Sequence, residues 1–180
     1  MKPSSPHFRT LDLAYIALFA VLIAVSAWIS IPFSIPFTLQ TFAVFLTLST
    51  LGGRRGFYTV LVYLLMGFVG FPVFSGFQGG PGALLGVNGG YLTGFLFTAF
   101  TYWIITRKEP PTRFRILTAS LLGLLVCYSF GTLWYVVGYA APSSGLWAIL
   151  SVCVLPFIIP DLIKLFLAIS ISGQIRRYLQ

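Results

Sequence analysis

Asp161 and Lys164 are the two residues of this sequence whose types and spacing are best suited to chemistry. They lie three residues apart inside the apolar run PFIIPDLIKLFLAIS. At that spacing both side chains lie on one face of a helix, so each charge partly neutralises the other. A charge inside a bilayer costs about 2.5–3.5 kcal/mol on insertion scales, and such residues usually face an internal cavity. The pair therefore predicts a polar ligand site, with a purely structural ion pair as the alternative.

The composition predicts an integral membrane protein with a single domain over residues 1–180. Of the residues, 58% are hydrophobic and 8% are charged, whereas soluble domains carry about 25% charged residues. The net charge of +8 does not indicate nucleic-acid binding, because the basic residues form short clusters between apolar runs. Cys127 and Cys153 lie singly in apolar stretches and the one histidine is His7, so we expect no metal site and no cofactor. The two cysteines are expected to pack as small apolar residues.

Six apolar segments predict an all-α bundle of six transmembrane helices. The predicted spans cover residues 11–29, 39–52, 56–71, 90–106, 116–139 and 160–177. Several are shorter than the ~20 residues of a perpendicular crossing, so tilt or local thinning of the bilayer is expected. Residues 146–156 are too few to cross and predict a half-helix near one surface. Pro160 suits the first position of the last span, which would place Asp161 in the first helical turn.

The distribution of basic residues predicts the orientation of the bundle. Of the eleven Lys and Arg residues, all but Lys164 lie near the chain ends or in the connections between spans two and three and between spans four and five. Three connections contain neither residue type: 30–38, 72–89 and 140–146. The positive-inside rule therefore places both termini in the cytoplasm. A signal peptide ending near Val25-Ser26-Ala27 is an alternative for the first run, although that run is long for this role.

The connection 72–89 is predicted to fold over a pocket as an outer lid. It is rich in glycine, which permits close backbone approach to a ligand, and it also contains Phe74 and Phe77. Connections longer than about 12–15 residues are usually functional or disordered, and an apolar aromatic segment is poorly suited to be a flexible linker. The glycines assigned to the lid are Gly79, Gly80, Gly82, Gly89 and Gly90.

Asn88 lies between this connection and the next span. An Asn at the start of a helix often only caps it. Asn88, Asp161 and Lys164 nevertheless all fall at the outward starts of spans, at similar depth. Together they offer an acceptor-only carboxylate, a donor-only ammonium and an amide that does both. Such a set suits a small ligand that presents adjacent N–H donors and a carbonyl.

Alanines form a stripe on one face of the first span. Ala17, Ala20, Ala24 and Ala27 are spaced by three, four and three residues. Small residues four apart allow another helix to approach closely in lipid. The partner is either a neighbouring span of this chain or a different protein, and the spacing alone does not separate these alternatives.

Three stretches carry a resemblance to a known family. They are IPFTLQTFAV, GFQGGPGALLGVNGGYLTGF and LPFIIPDLIKL. With the six spans and the alanine-striped first helix, they resemble the BioY family over residues 11–177. The resemblance implies a six-helix bundle in the prokaryotic plasma membrane that captures biotin from outside, as the substrate-binding subunit of an energy-coupling factor (ECF) transporter.

The resemblance also implies partners and residue roles. The bundle would dock through Ala17, Ala20 and Ala24 onto a transmembrane coupling protein that works with two ATPase subunits. The ligand residues would be Asn88, Asp161 and Lys164, and we add Tyr91 and Gln40 to this set. The ureido ring of biotin has two N–H groups and one carbonyl, so that Asp161 would accept from an N–H while Lys164 or Asn88 donates to the carbonyl. The thioether ring and aliphatic tail suit an apolar, aromatic pocket.

Other classes of function are less consistent with the sequence. There is no HExxH motif and no nucleophile–base set, which argues against an enzyme, and no GxxxxGK[ST] motif with which this chain would hydrolyse ATP. Energy for transport must then come from a partner or from a gradient. Two alternatives stay open: a related subunit for another vitamin, and a biotin facilitator that works alone.

Overall fold

The protein is mostly helical in the structure, a computed structural model, which describes residues 9–31, 36–107, 111–141 and 145–179. The helices are α1 (Thr10–Trp28), α2 (Gln40–Leu51), α3 (Gly53–Val69), α4 (Pro81–Leu85), α5 (Gly89–Thr106), α6 (Arg113–Gly138), α7 (Leu146–Cys153) and α8 (Leu155–Leu179). Two short antiparallel strands, β1 (Ser30–Ile31) and β2 (Phe37–Thr38), follow α1. The two strands lie at the two ends of the predicted connection 30–38 and were not expected from the sequence. His7 lies outside the described residues.

Each of the six predicted spans overlaps one of the long helices, namely α1, α2, α3, α5, α6 and α8. In the part of the chain that the structure describes, three helical stretches are long and apolar enough to cross a membrane, namely Thr10–Trp28, Arg113–Gly138 and Trp147–Tyr178. Helix α2 is apolar but shorter. The helical elements are therefore confirmed, while the number of crossings stays a prediction.

The predicted start of the last helix is wrong. Helix α8 begins at Leu155, so Pro160 lies inside the helix and is not its first residue. Pro156 occupies the first turn instead, where a missing N–H leaves no intrahelical bond unmade. Asp161 consequently lies in the second turn, beyond the reach of the positive helix end. For the same reason the predicted half-helix 146–156 is shorter than expected and ends at Cys153.

Helices α5 and α6 form the most extensive helix pair, and small residues let them approach closely. A Cβ atom added at Gly123 would press against Thr98, and one added at Gly94 would press against Cys127. The Thr98 hydroxyl also donates to the Gly123 carbonyl oxygen at 2.8 Å. Cys127 and Cys153 are both buried free thiols, as expected for small packing residues.

The alanine stripe of α1 faces mainly inward. Ala20, Ala24 and Ala27 are only 0%, 3% and 0% exposed, and the first two belong to the main hydrophobic core. Ala17 is exposed. The structure therefore supports packing inside the bundle for Ala20 and Ala24, which present no free surface to a partner. A docking role for Ala17 stays a prediction.

Candidate functional site

A cavity of about 570 Å³ lies among the β1–β2 pair, the connection 72–89 and the helices α2, α5, α6 and α8. Its volume is typical of sites for small molecules. All five residues predicted to bind ligand line it: Gln40, Asn88, Tyr91, Asp161 and Lys164. Aromatic side chains, including Phe74, Phe95 and Phe157, form much of the remaining wall. The structure thus brings together residues that are far apart in the sequence.

Asp161 and Lys164 form a buried ion pair on α8. The ammonium nitrogen of Lys164 lies 2.8 Å from Asp161 Oδ1, and the two residues are 6% and 4% exposed, respectively. Helical periodicity places the two side chains on the same face, as their spacing predicts. A hydrogen bond between two charged groups is among the strongest in proteins, so each partner fixes the orientation of the other.

The ammonium group of Lys164 already has several partners in the structure. Besides the bond to Asp161, it donates to the carbonyl oxygen of Thr38 at 2.7 Å. It also lies 3.9 Å from the ring centroid of Phe37, in cation–π contact. An ammonium has three N–H donors, and two of those of Lys164 donate to oxygens of the described residues. Lys164 therefore ties β2 to α8, and most of its hydrogen-bonding capacity is already used within the protein.

Asp161, in contrast, retains acceptor capacity. Its Oδ2 accepts a hydrogen bond from the hydroxyl of Tyr128 on α6 at 2.7 Å, and its Oδ1 accepts from Lys164. Each carboxylate oxygen has about two acceptor positions, so both oxygens can accept a further bond. Tyr128 was not predicted from the sequence. It is one of nine tyrosines, and nothing in its local sequence signals a partner 33 residues away.

Asn88 carries an unpaired acceptor into the cavity wall. It precedes α5 at the capping position, but its side chain makes no capping hydrogen bond. Its Oδ1 is buried and, among the described residues, has no hydrogen-bond partner. A buried polar atom without a partner costs about 1–3 kcal/mol. The structure therefore does not support the capping alternative, and an N–H donor on a ligand would satisfy this oxygen.

Gln40 and Tyr91, unlike Asn88, have hydrogen-bond partners within the protein. Gln40 Nε2 donates to the hydroxyl of Tyr63 at 2.9 Å, which in turn donates to the Val73 carbonyl oxygen at 3.2 Å. An amide nitrogen has two donors, so Gln40 retains one. The hydroxyl of Tyr91 lies 3.2 Å from Thr132 Oγ1. It also contacts the carbonyl oxygen of Cys153, the last residue of α7. Gln40 thus keeps a free donor, while Tyr91 mainly builds the wall.

The connection 72–89 packs onto the bundle and forms part of the cavity wall. Trp28 Nε1 donates to the Pro72 carbonyl oxygen at 2.8 Å, and Trp134 Nε1 donates to the Gly86 carbonyl oxygen at 3.1 Å. The Trp28 ring also stacks on Phe77, with centroids 5.0 Å apart. The connection is therefore attached to α1 at one end and to α6 at the other, which does not fit a flexible linker.

Backbone geometry explains most of the glycines assigned to the connection. Gly80 has a φ of +87°, in the left-handed region that favours glycine. A Cβ atom at Gly90 would overlap the side chain of Trp134. Gly79 and Gly89 likewise have no room for a side chain against neighbouring backbone, whereas Gly82 faces open space. Gly82 is thus not required for steric reasons.

The fold and the cavity together define a class of protein. The long apolar helices and the sparse charge are those of a multi-pass membrane protein. The cavity combines apolar walls with a few convergent polar groups, which is typical of a small-molecule site. The class is therefore a membrane protein that binds a small polar ligand.

Similarity to known proteins identifies the family. The pattern of the BioY family matches residues 1–180. The biotin transporter BioY of Thermotoga maritima is 38% identical over 161 residues, covering 89% of this chain and 92% of that protein. The probable biotin transporter BioY of Pyrococcus horikoshii is 37% identical over 166 residues, covering 92% and 96%. The chain belongs to the BioY family.

A solved structure has the same fold. It is the S-component for biotin from an ECF-type ABC transporter, which superposes with a TM-score of 0.82 over 95% of each chain at 26% sequence identity. Membership of the BioY family places this chain among transport and binding proteins of the prokaryotic plasma membrane and not among enzymes.

Proposed function

We propose that this chain is the substrate-binding membrane subunit of an ECF transporter and that it binds biotin in the cavity described above. The observation that carries the proposal is that two acceptors line the same cavity. Asn88 Oδ1 has no hydrogen-bond partner among the described residues, and Asp161 retains acceptor capacity. The ureido ring of biotin presents two N–H donors, one for each acceptor. The related biotin transporters and the biotin S-component structure support the same ligand.

The rest of the wall suits the remaining parts of biotin. The free donor of Gln40 is available to the ureido carbonyl. Lys164 would then keep its existing contacts when biotin binds. Phe74 and Phe157 are 2% and 9% exposed and offer apolar surface to the thioether ring. We therefore assign Asp161 and Asn88 as acceptors and Lys164 as the residue that orients Asp161.

Replacing Asn88 with leucine tests the proposal. The change removes an acceptor that has no partner in the protein, so the melting temperature is expected to stay the same or rise. Loss of one ligand hydrogen bond should weaken biotin binding by about 3–10-fold. Titration calorimetry on the purified chain measures both the affinity and the stoichiometry. Unchanged biotin affinity in the folded variant would exclude Asn88 from the site.

We also propose that the chain forms one domain of six spans, with both termini in the cytoplasm and the connection 72–89 acting as an outer lid. Gln78 is exposed on this connection, and both native cysteines are buried. A Gln78→Cys variant in intact cells should therefore react with a membrane-impermeant maleimide, and biotin should slow the reaction. Reaction only after the cells are opened would contradict the orientation. Equal rates with and without biotin would contradict the lid.

We further propose that delivery of biotin requires a transmembrane coupling protein and two ATPase subunits, because this chain has no ATP-binding motif of its own. The exposed face of α1, which includes Ala17, is the proposed contact. Uptake of labelled biotin should then require ATP and a co-purifying ATPase. Uptake by liposomes that contain this chain alone would favour a facilitator.

A further inference from the structure

The cavity has no net charge to offer an anionic ligand. Among the described residues, Asp161 and Lys164 are the only charged side chains that line it, and they neutralise each other at 2.8 Å. The ammonium of Lys164 is also bonded to the Thr38 carbonyl and lies over the Phe37 ring. The single positive charge among the described lining residues is therefore already compensated by a carboxylate.

No second cation lines the cavity in the part of the chain that the structure describes. The connections 30–38, 72–89 and 140–146 contain no Lys or Arg, and they contain no Asp or Glu either. The other polar residues around the opening, including Ser75 and Gln78, are neutral.

The polarity of the cavity changes with depth. Asp161 and Lys164 are 4% and 6% exposed, whereas Gly76 and Gln78 lie exposed at the rim and Ser75 is half-buried. Burying a carboxylate without a counter-ion is very costly, so an acid group would be excluded from the inner end. At the rim, water solvates the charge and a nearby protein charge would contribute little.

We infer that the site recognises biotin through its bicyclic head alone, and that neutral carboxyl derivatives of biotin, both esters and amides, are also ligands. This inference rests on the proposed function and extends its substrate class to biotin joined through its carboxyl group to an amine such as the side chain of lysine. In the bound state the ureido ring lies at the inner end, beside Asn88 and Asp161. The acid end lies at the rim, beside Ser75 and Gln78.

The opposite orientation makes a different prediction. If the carboxylate displaced Thr38 or Phe37 from Lys164, it would form a buried ion pair. Removing the ligand's charge would then leave the new contacts of Lys164 unmade, and affinity would fall more than about a hundredfold.

The test is competition against labelled biotin on the purified full chain. The competitors are biotin, its methyl ester, its primary amide, its ε-lysyl amide and an analogue methylated at both ureido nitrogens. We expect the ester and both amides to compete within about fivefold of biotin, and the methylated analogue to fail.

A loss of more than about a hundredfold for the ester and the primary amide would overturn the inference, as would competition by the methylated analogue equal to that of biotin. Absence of labelled-biotin binding would overturn the proposed function together with this inference, whereas biotin binding without ester or amide binding overturns this inference alone.

Discussion

Replacing Asp161 with asparagine is expected to lower the affinity of the purified chain for biotin by about ten- to a hundredfold. The change removes a charged acceptor, and hydrogen bonds to charged groups contribute about 1.5–3 kcal/mol. It also leaves the buried ammonium of Lys164 without its ion-pair partner at 2.8 Å. Titration calorimetry gives the affinity, and a melting curve in the same detergent shows whether the variant is folded.

Asp12 provides a matched control for this substitution. It is also a buried aspartate, 8% exposed, and it pairs with Arg55 at 2.7 Å near the start of α1. Because Asp12 does not line the cavity, an Asp12→Asn variant should bind biotin like the unmodified chain. If the folded Asp161→Asn variant bound biotin as tightly as that control, Asp161 would not belong to the site.

Replacing Lys164 with methionine is expected to reduce both stability and binding. Removing one partner of a buried ion pair typically costs about 3–5 kcal/mol, because a buried charge is left without compensation. Here the Thr38 carbonyl oxygen also loses its donor, so β2 loses a hydrogen bond to α8. The melting temperature should therefore fall, and biotin binding should weaken because Asp161 is no longer held in place.

A double variant separates the two effects of this change. Asp161→Asn combined with Lys164→Met removes both charges, so part of the lost stability should return while biotin binding stays weak. Melting curves and biotin titrations of the two single variants and the double variant complete the cycle. If the single Lys164→Met variant melted much earlier yet its folded fraction bound biotin normally, the pair would be structural only.

Local periodicity explains what could be predicted from the sequence. Three-residue spacing places Asp161 and Lys164 on one helical face in any helix, and hydrophobic runs predicted where the main helices occur. The start of α8 was wrong because Pro156 and Pro160 both suit a helix start, and local sequence alone does not choose between them. The sequence shows that the alanines of α1 share a face but not which way that face points.

Contacts between distant elements explain what could not be predicted. Tyr128 reaches Asp161 across 33 residues, and Trp28 reaches Pro72 across 44. Neither pairing has a signal in spacing or composition, because each depends on how whole helices are arranged. Asn88 shows the same limit at smaller scale. Its position at the start of a helix could be predicted from the sequence. That its Oδ1 has no hydrogen-bond partner among the described residues depends on the surrounding fold.

An experimental structure of this chain with biotin bound tests the central proposal most directly. We predict that biotin occupies the cavity, with its two ureido nitrogens at about 2.7–3.2 Å from Asn88 Oδ1 and from an oxygen of Asp161. The bond between Lys164 and Asp161 should persist, and the carboxyl group should lie near Ser75 and Gln78. Biotin bound outside this cavity, or bound with its carboxylate on Lys164 and its ureido ring at the rim, would contradict the proposal.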